Sequence, residues 1–183
     1  MGVKNIFKRY ELKFMLTTQQ YIQLKELMKK YMQGDEFGKS TICNLYFDTP
    51  DYLLIRHSIE KPVYKEKLRL RSYGTPKNDS TVFAELKKKY KSVVYKRRIG
   101  MSEQDAMKFL CERNPVKDTQ ITREIDYFLD FYNNPKPTVY LSYEREAFFS
   151  KTDSDFRMTF DRNILWRDYD LSLCKGVYGE PIL

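Results

Sequence analysis

Between Val63 and Tyr73 the chain alternates cation and leucine as Lys67-Leu68-Arg69-Leu70-Arg71. On a helix the three cations would scatter round the axis, whereas on a strand they share one face and the leucines take the other. The pattern predicts a strand with one charged and one apolar face. The same phase recurs along the chain. Arg9, Glu11 and Lys13 alternate with Tyr10, Leu12 and Phe14. Glu85, Lys87 and Lys89 alternate with Ala84, Leu86 and Tyr90, leaving Lys88 out of phase. Lys96 and Arg98 oppose Tyr95 and Ile99, with Arg97 out of phase. A long strand is predicted from about Thr138 to Phe149, carrying Tyr143 and Arg145, and Arg157, Thr159 and Asp161 oppose Phe156, Met158 and Phe160.

Helical periodicity fills the gaps. Thr17 or Thr18 can cap a helix to about Met32 with Leu24, Leu27, Met28 and Tyr31 on one side and Gly34 ending it. Ser102 and Asp105 resemble a capping box that opens a helix with Ala106, Phe109 and Leu110 inward. A third helix spans about Thr119 to Tyr132 along the stripe Ile125, Phe128, Leu129 and Tyr132, stopped by Asn133-Asn134-Pro135. Asp51 is placed to cap a shorter one through His57, and Asp48 to cap the turn at Thr49-Pro50. Residues 74–79 read as a loop. With no linker or internal repeat, 1–183 reads as a single domain of the α+β class. The apolar helix stripes need the apolar strand faces, so the charged faces point away from the helices. In an open sheet that face meets water. In a closed one it lines a barrel, where crowded cations need water or a polyanion among them. Alternation alone leaves both open.

Composition narrows the chemistry. The 183 residues hold 33 Lys and Arg against 25 Asp and Glu, a formal charge of +8, which favours an anionic partner. One histidine, His57, leaves little for histidine-based catalysis, and Cys43, Cys111 and Cys174 lack metal-ligand spacing. They read as buried thiols of a cytoplasmic protein, in a chain with neither a signal segment nor a run of the ~18 apolar residues that a membrane span needs. The aromatics, counted by charge phase, fall opposite the cations. A base-stacking platform needs both on one face, so nucleic acid is not expected.

Several of these segments carry a family resemblance. Arg9-Tyr10-Glu11-Leu12-Lys13-Phe14 resembles the opening strand of the VTC domain, a polyphosphate polymerase domain of the triphosphate tunnel (CYTH-like) superfamily. Tyr46-Phe47-Asp48-Thr49, Lys67-x-Arg69-x-Arg71-x-Tyr73 and Glu85-x-Lys87-x-Lys89 resemble its next motifs. Val94-Tyr95-Lys96-Arg97-Arg98, Tyr143-x-Arg145-x-x-Phe148 and Arg157-x-Thr159-x-Asp161 follow in the expected order.

The resemblance implies a closed, mostly antiparallel β-tunnel with flanking α-helices. It also implies transfer of the ATP γ-phosphate onto a polyphosphate chain with Mn²⁺ or Mg²⁺. Phosphoryl transfer depends on positioning and on neutralising charge spread over phosphate oxygens, work suited to Arg and Lys. Carried over by position, the phosphate-binding residues are Lys13, Arg69, Arg71, Lys87, Lys96, Arg145, Arg157 and Tyr143, with Arg71, Lys87, Arg145 and Arg157 as the catalytic set. Arg9, Lys67, Lys89 and Arg98 share their faces and rank second. Glu11 and Glu85 are the metal candidates, although pairing with neighbouring cations suits either. Asp161 fits a structural role better than a chemical one. The family's later Glu-x-Lys strand, source of its principal metal ligand, is not found before Leu183, and Glu180 has no Lys two residues on. The expectation is therefore a tunnel short of its C-terminal strand, with turnover in question. The alternatives are hydrolysis of an inorganic or organic triphosphate, and a non-catalytic module that holds polyphosphate, phosphate or sulfate.

Overall fold

A computed structural model describes residues 6–9, 11–91, 93–114, 117–153 and 155–182; of 6–9 and Phe37 it describes the backbone alone. The elements run β1 (Ile6–Arg9), α1 (Thr18–Tyr31), β2 (Met32–Asp48), α2 (Leu53–Ile59), β3 (Tyr64–Tyr73), β4 (Thr81–Tyr90), β5 (Val93–Ser102), α3 (Glu103–Glu112), α4 (Gln120–Phe131), β6 (Lys136–Ser150), β7 (Arg157–Arg167), a 3-10 turn (Leu173–Lys175) and β8 (Glu180–Pro181). The strands form one antiparallel sheet in the order β1-β5-β4-β3-β2-β6-β7-β8. The α+β class is as expected, but the closed tunnel is not seen. Among the described residues β1 and β8 are the two margins of the sheet, and no ladder joins them.

The alternation in β3 and β4 does what its phase predicts. Leu68, Leu70, Val82, Ala84 and Leu86 are wholly buried on one face, joined there by Cys43, Leu45 and Phe47 of β2 and Tyr140 of β6. Ala106, Phe109 and Leu110 of α3 pack on this layer with Ile125, Phe128 and Leu129 of α4 and Leu54 of α2. Truncating any of these leucines to alanine costs about 2–5 kcal/mol. A second cluster seats α1 on the same side of the sheet, through Met28, Tyr21 and Leu24 against Phe148, Met158 and Phe160. All four helices thus back one face and leave the other bare.

The helix ends differ in detail from expectation. Thr17 and Gln20 form a capping box for α1, and Thr119 and Thr122 form one for α4. At α3 Ser102 accepts from the Asp105 amide at 3.2 Å, one half of the capping box expected there. Gly34 does not end α1: the chain turns extended at Met32 (φ −121°), and Gly34 lies inside β2 opposite Phe148. Asp51 does not cap α2. The buried Asp48 carboxylate accepts from the amides of Thr49, Leu54 and Ile55 at 2.8–3.0 Å, and Thr49 Oγ1 accepts from Leu53. Asp51 instead bonds Arg56 and the Thr49 hydroxyl.

The opening strand is also shorter than predicted. Residues 11–17 have no regular structure, and Tyr10 lies outside the described residues. In the β6–β7 ladder a bulge between Ser142 and Glu144 is taken up by Asn163 at φ 51°, a left-handed conformation that Asn tolerates. No helix among the described residues is long and apolar enough to cross a membrane.

Candidate functional site

The bare face is the charged one. Cross-strand register places Lys67 opposite Lys87, and Lys87 opposite Lys96, so three lysines stand in line across β3, β4 and β5. One step further, Arg69 faces Glu85 and Glu85 faces Arg98; a step beyond that, Asn44 faces Arg71 and Arg71 faces Phe83. Directly opposed like charges on one sheet face repel, and this face holds them where side chains are only half exposed.

Glu85 is the centre of compensation. Its side chain is 0% exposed and takes Arg69 at 2.7 Å, Lys96 at 2.6 Å, Arg98 at 3.6 Å and Arg71 at 3.8 Å. Burial alone would raise its pKa, but the charges of Arg69, Arg71 and Lys96 outweigh it and hold the carboxyl at about 2. Burial works the other way on Lys96. Helped by Arg71 and Arg69, it pushes the ammonium down to about 8 against the pull of Glu85. Two hydroxyls and an amide fix the guanidiniums. Arg69 Nη1 donates to Tyr46 Oη at 3.1 Å, Arg71 Nη2 to Tyr143 Oη at 3.1 Å, and Arg71 Nε to Asn44 Oδ1 at 2.9 Å.

The lysine row has less compensation. Glu11, in the irregular segment after β1, accepts from Lys87 at 2.6 Å and lies 3.7 Å from Lys13. Lys67 is half-buried and has no ion pair or hydrogen bond among the described residues. Burial lowers its pKa; Tyr46 opposes that, while Lys65, Lys87 and Lys13 add to it. Further along the face, Arg145 is clamped through Nε and Nη2 by both Asp161 oxygens at 2.6 and 2.7 Å and lies 5.0 Å over the Tyr143 ring.

The structure therefore gathers Lys67, Arg69, Arg71, Lys87, Lys96, Arg98, Tyr143 and Arg145 on one face. Arg157 and Lys13 are less integrated. Arg157 is exposed opposite Phe149, four residues or about 13 Å along β7 from Asp161, and Lys13 is on the irregular segment rather than a strand. Lys89 pairs in register with Lys65 near the strand ends. The Arg9 backbone faces Val94, and its side chain lies outside the described residues. Lys88 and Arg97, out of phase in sequence, are on the helix side, where Glu66 and Glu124 meet them at 4.0 and 3.1 Å. His57 is exposed on α2. Sequence reasoning missed Asn44 as a site residue, though it precedes Tyr46 by two and so shares its face. The expectation that the aromatics fall opposite the cations does not hold, because Tyr46, Tyr73 and Phe83 lie on the charged face beside Tyr143, already a candidate there.

The carboxylates do not fit a divalent ion. Glu85 is ringed by four cations, Glu11 is bound by Lys87, and among the described residues no group of three or more His, Cys, Asp or Glu is gathered to hold a metal. Glu85 is enclosed by cations, and Glu11 stands without the further carboxylate or carbonyl oxygens that such an ion takes among the described residues.

A helix-backed antiparallel sheet with a cationic bare face sets the architecture, and the sequence supplies the family. The profile of the family described as VTC domain matches residues 8–179, and the chain belongs to that family. Members of the triphosphate tunnel superfamily are generally dependent on divalent metals. Among solved structures, the chain is similar to a candidate adenylate cyclase from Bacillus halodurans, at 15% identity and a TM-score of 0.48 over 87% of this chain and 80% of that one. It is also similar to a candidate adenylate cyclase from Vibrio parahaemolyticus, at 13% identity and a TM-score of 0.39 over 85% of this chain and 66% of that one. No curated protein sequence gives a significant match.

Proposed function

We propose that the bare face binds a linear chain of phosphates, and that the protein is a polyphosphate polymerase domain that passes the γ-phosphate of ATP to a growing chain. The observation that carries this reading is the row Lys67, Lys87 and Lys96, three directly opposed cations of which Lys67 has no carboxylate among the described residues. Such a row is disfavoured without a polyanion and favoured with one. Arg69 and Arg71, held in orientation by Tyr46, Tyr143 and Asn44, present preset donors to phosphate oxygens. Arg145 joins the row when the anion displaces Asp161. The Mg²⁺ or Mn²⁺ expected of the family has no part in this reading, because Glu11 and Glu85 are engaged by cations.

That engagement favours one alternative, a module that binds polyphosphate without turnover. Calorimetry with inorganic tripolyphosphate and a polymer assay with ATP and manganese separate the readings. Binding with acid-labile polymer, lost in Arg71→Ala and Lys87→Ala, supports the polymerase. Binding without polymer or phosphate release supports the module, and phosphate release alone supports hydrolysis. Absence of tripolyphosphate binding overturns all three.

A further inference from the structure

The aromatics on the charged face are not equivalent. Tyr143 is 8% exposed, Tyr46 is half-buried, and both hydroxyls are committed to Arg71 and Arg69. Tyr73 is 54% exposed. It is the last residue of β3, two places beyond Arg71 on the same face and about 7 Å further along. Gly74, at φ 78°, then turns the chain away and leaves the ring at the margin of the face.

Tyr73 is braced from behind. Its hydroxyl accepts from Arg98 Nη2 at 3.3 Å, and its ring meets Phe83 edge-on at 5.9 Å. The Arg98 guanidinium lies 3.4 Å over the Phe83 ring. Gly100, opposite Phe83, leaves room for that ring: a Cβ there would come within 3.2 Å of Phe83 Cε1. The result is an oriented, accessible aromatic ring at the end of a row of phosphate-binding cations.

Building on the phosphate-binding reading, we infer that Tyr73 is the base subsite of the face and stacks the planar base of a nucleoside triphosphate. The phosphates then lie along Lys67, Arg69 and Arg71, with the sugar over the interval between Arg71 and Tyr73. Among the described residues Tyr73 is the exposed ring beside Arg71, and one ring takes one base, so the ligand is a mononucleotide rather than a nucleic-acid strand. Aromatic stacking tolerates any base, so the subsite separates nucleotides from bare polyphosphate but not one base from another.

Calorimetry on the full chain tests this with ATP, ribose 5-triphosphate and inorganic tripolyphosphate. Wild type is expected to bind ATP about tenfold tighter than ribose 5-triphosphate, a comparison that needs no variant. Tyr73→Ala is expected to weaken ATP about tenfold and to leave tripolyphosphate unchanged, while Tyr73→Trp keeps the ATP affinity. Equal affinity of wild type for ATP and ribose 5-triphosphate, or equal effects of Tyr73→Ala on ATP and tripolyphosphate, overturns the subsite. Failure of wild type to bind tripolyphosphate overturns the phosphate reading instead.

Discussion

Lys67 stands directly opposite Lys87 across the β3–β4 ladder, and of the two only Lys87 has a carboxylate among the described residues, Glu11 at 2.6 Å. The asymmetry separates binding from folding. A half-buried cation without a partner costs desolvation and repulsion in the free protein, and both are offset when an anion arrives.

Lys67→Ala is accordingly expected to weaken tripolyphosphate binding by about tenfold, the scale of one charge-assisted hydrogen bond. The thermal midpoint of the free protein is expected to stay unchanged or to rise, as at other sites that trade stability for function. Calorimetry with a melting curve on the same sample checks both. A lower midpoint with unchanged affinity would make Lys67 a structural residue.

Glu85→Gln moves the balance the other way. Removing the carboxylate that meets Arg69, Arg71, Lys96 and Arg98 takes away negative charge from a buried cluster of cations, and the expected loss is about 3–5 kcal/mol in urea unfolding. The acid limb of stability follows from the same contacts. The carboxyl is depressed from an ordinary 4.5 to about 2, so its contribution is fully present above 4.5 and is lost as pH falls from 4.5 to 2. Urea midpoints across that range should fall more steeply for wild type than for the variant.

Lys96 has a basic limb. Its ammonium is pushed down to about 8 from an ordinary 10.5, so the unfolded chain holds a proton that the native state lacks between those values. Its titration therefore makes stability rise with pH across that window, while anion affinity falls as the charge is lost. Lys96→Arg keeps the charge throughout. The ratio of wild-type to Lys96→Arg affinity for tripolyphosphate, which cancels the ligand's own titration, is expected to drop about tenfold from pH 7 to pH 9.5. A constant ratio would put Lys96 beyond the anion's reach.

How much of this was legible depended on contrast between the faces. In β3 the two faces differ at every step, Lys67-Leu68-Arg69-Leu70-Arg71, and the strand and its cations could be read at once. In β2 the run Ile42, Cys43, Asn44 and Leu45 is buried on both faces, so no alternation announces it. The opposite failure occurs at Glu11 and Lys13, where the phase is strand-like but residues 11–17 join no ladder. Setting the aromatics as a group opposite the cations fails at Tyr73 and Phe83, whose faces follow from strand position and not from their charged neighbours. That Glu85 pairs with neighbouring cations was legible, but the number and identity of the four around it were not. They depend on how β3, β4 and β5 register, which no single strand encodes.

Core and binding face are made by neighbouring letters of the same strands, which restricts how β3 and β4 can change length. Inserting or deleting one residue within either would carry Leu68, Leu70 or Leu86 out to the ligand and Lys67, Arg69 or Glu85 in among the helices. Fold and site would be lost in the same event. Length changes by odd numbers are admissible only in connections such as 74–80, so an insertion scan should show tolerance there and abrupt loss inside the strands.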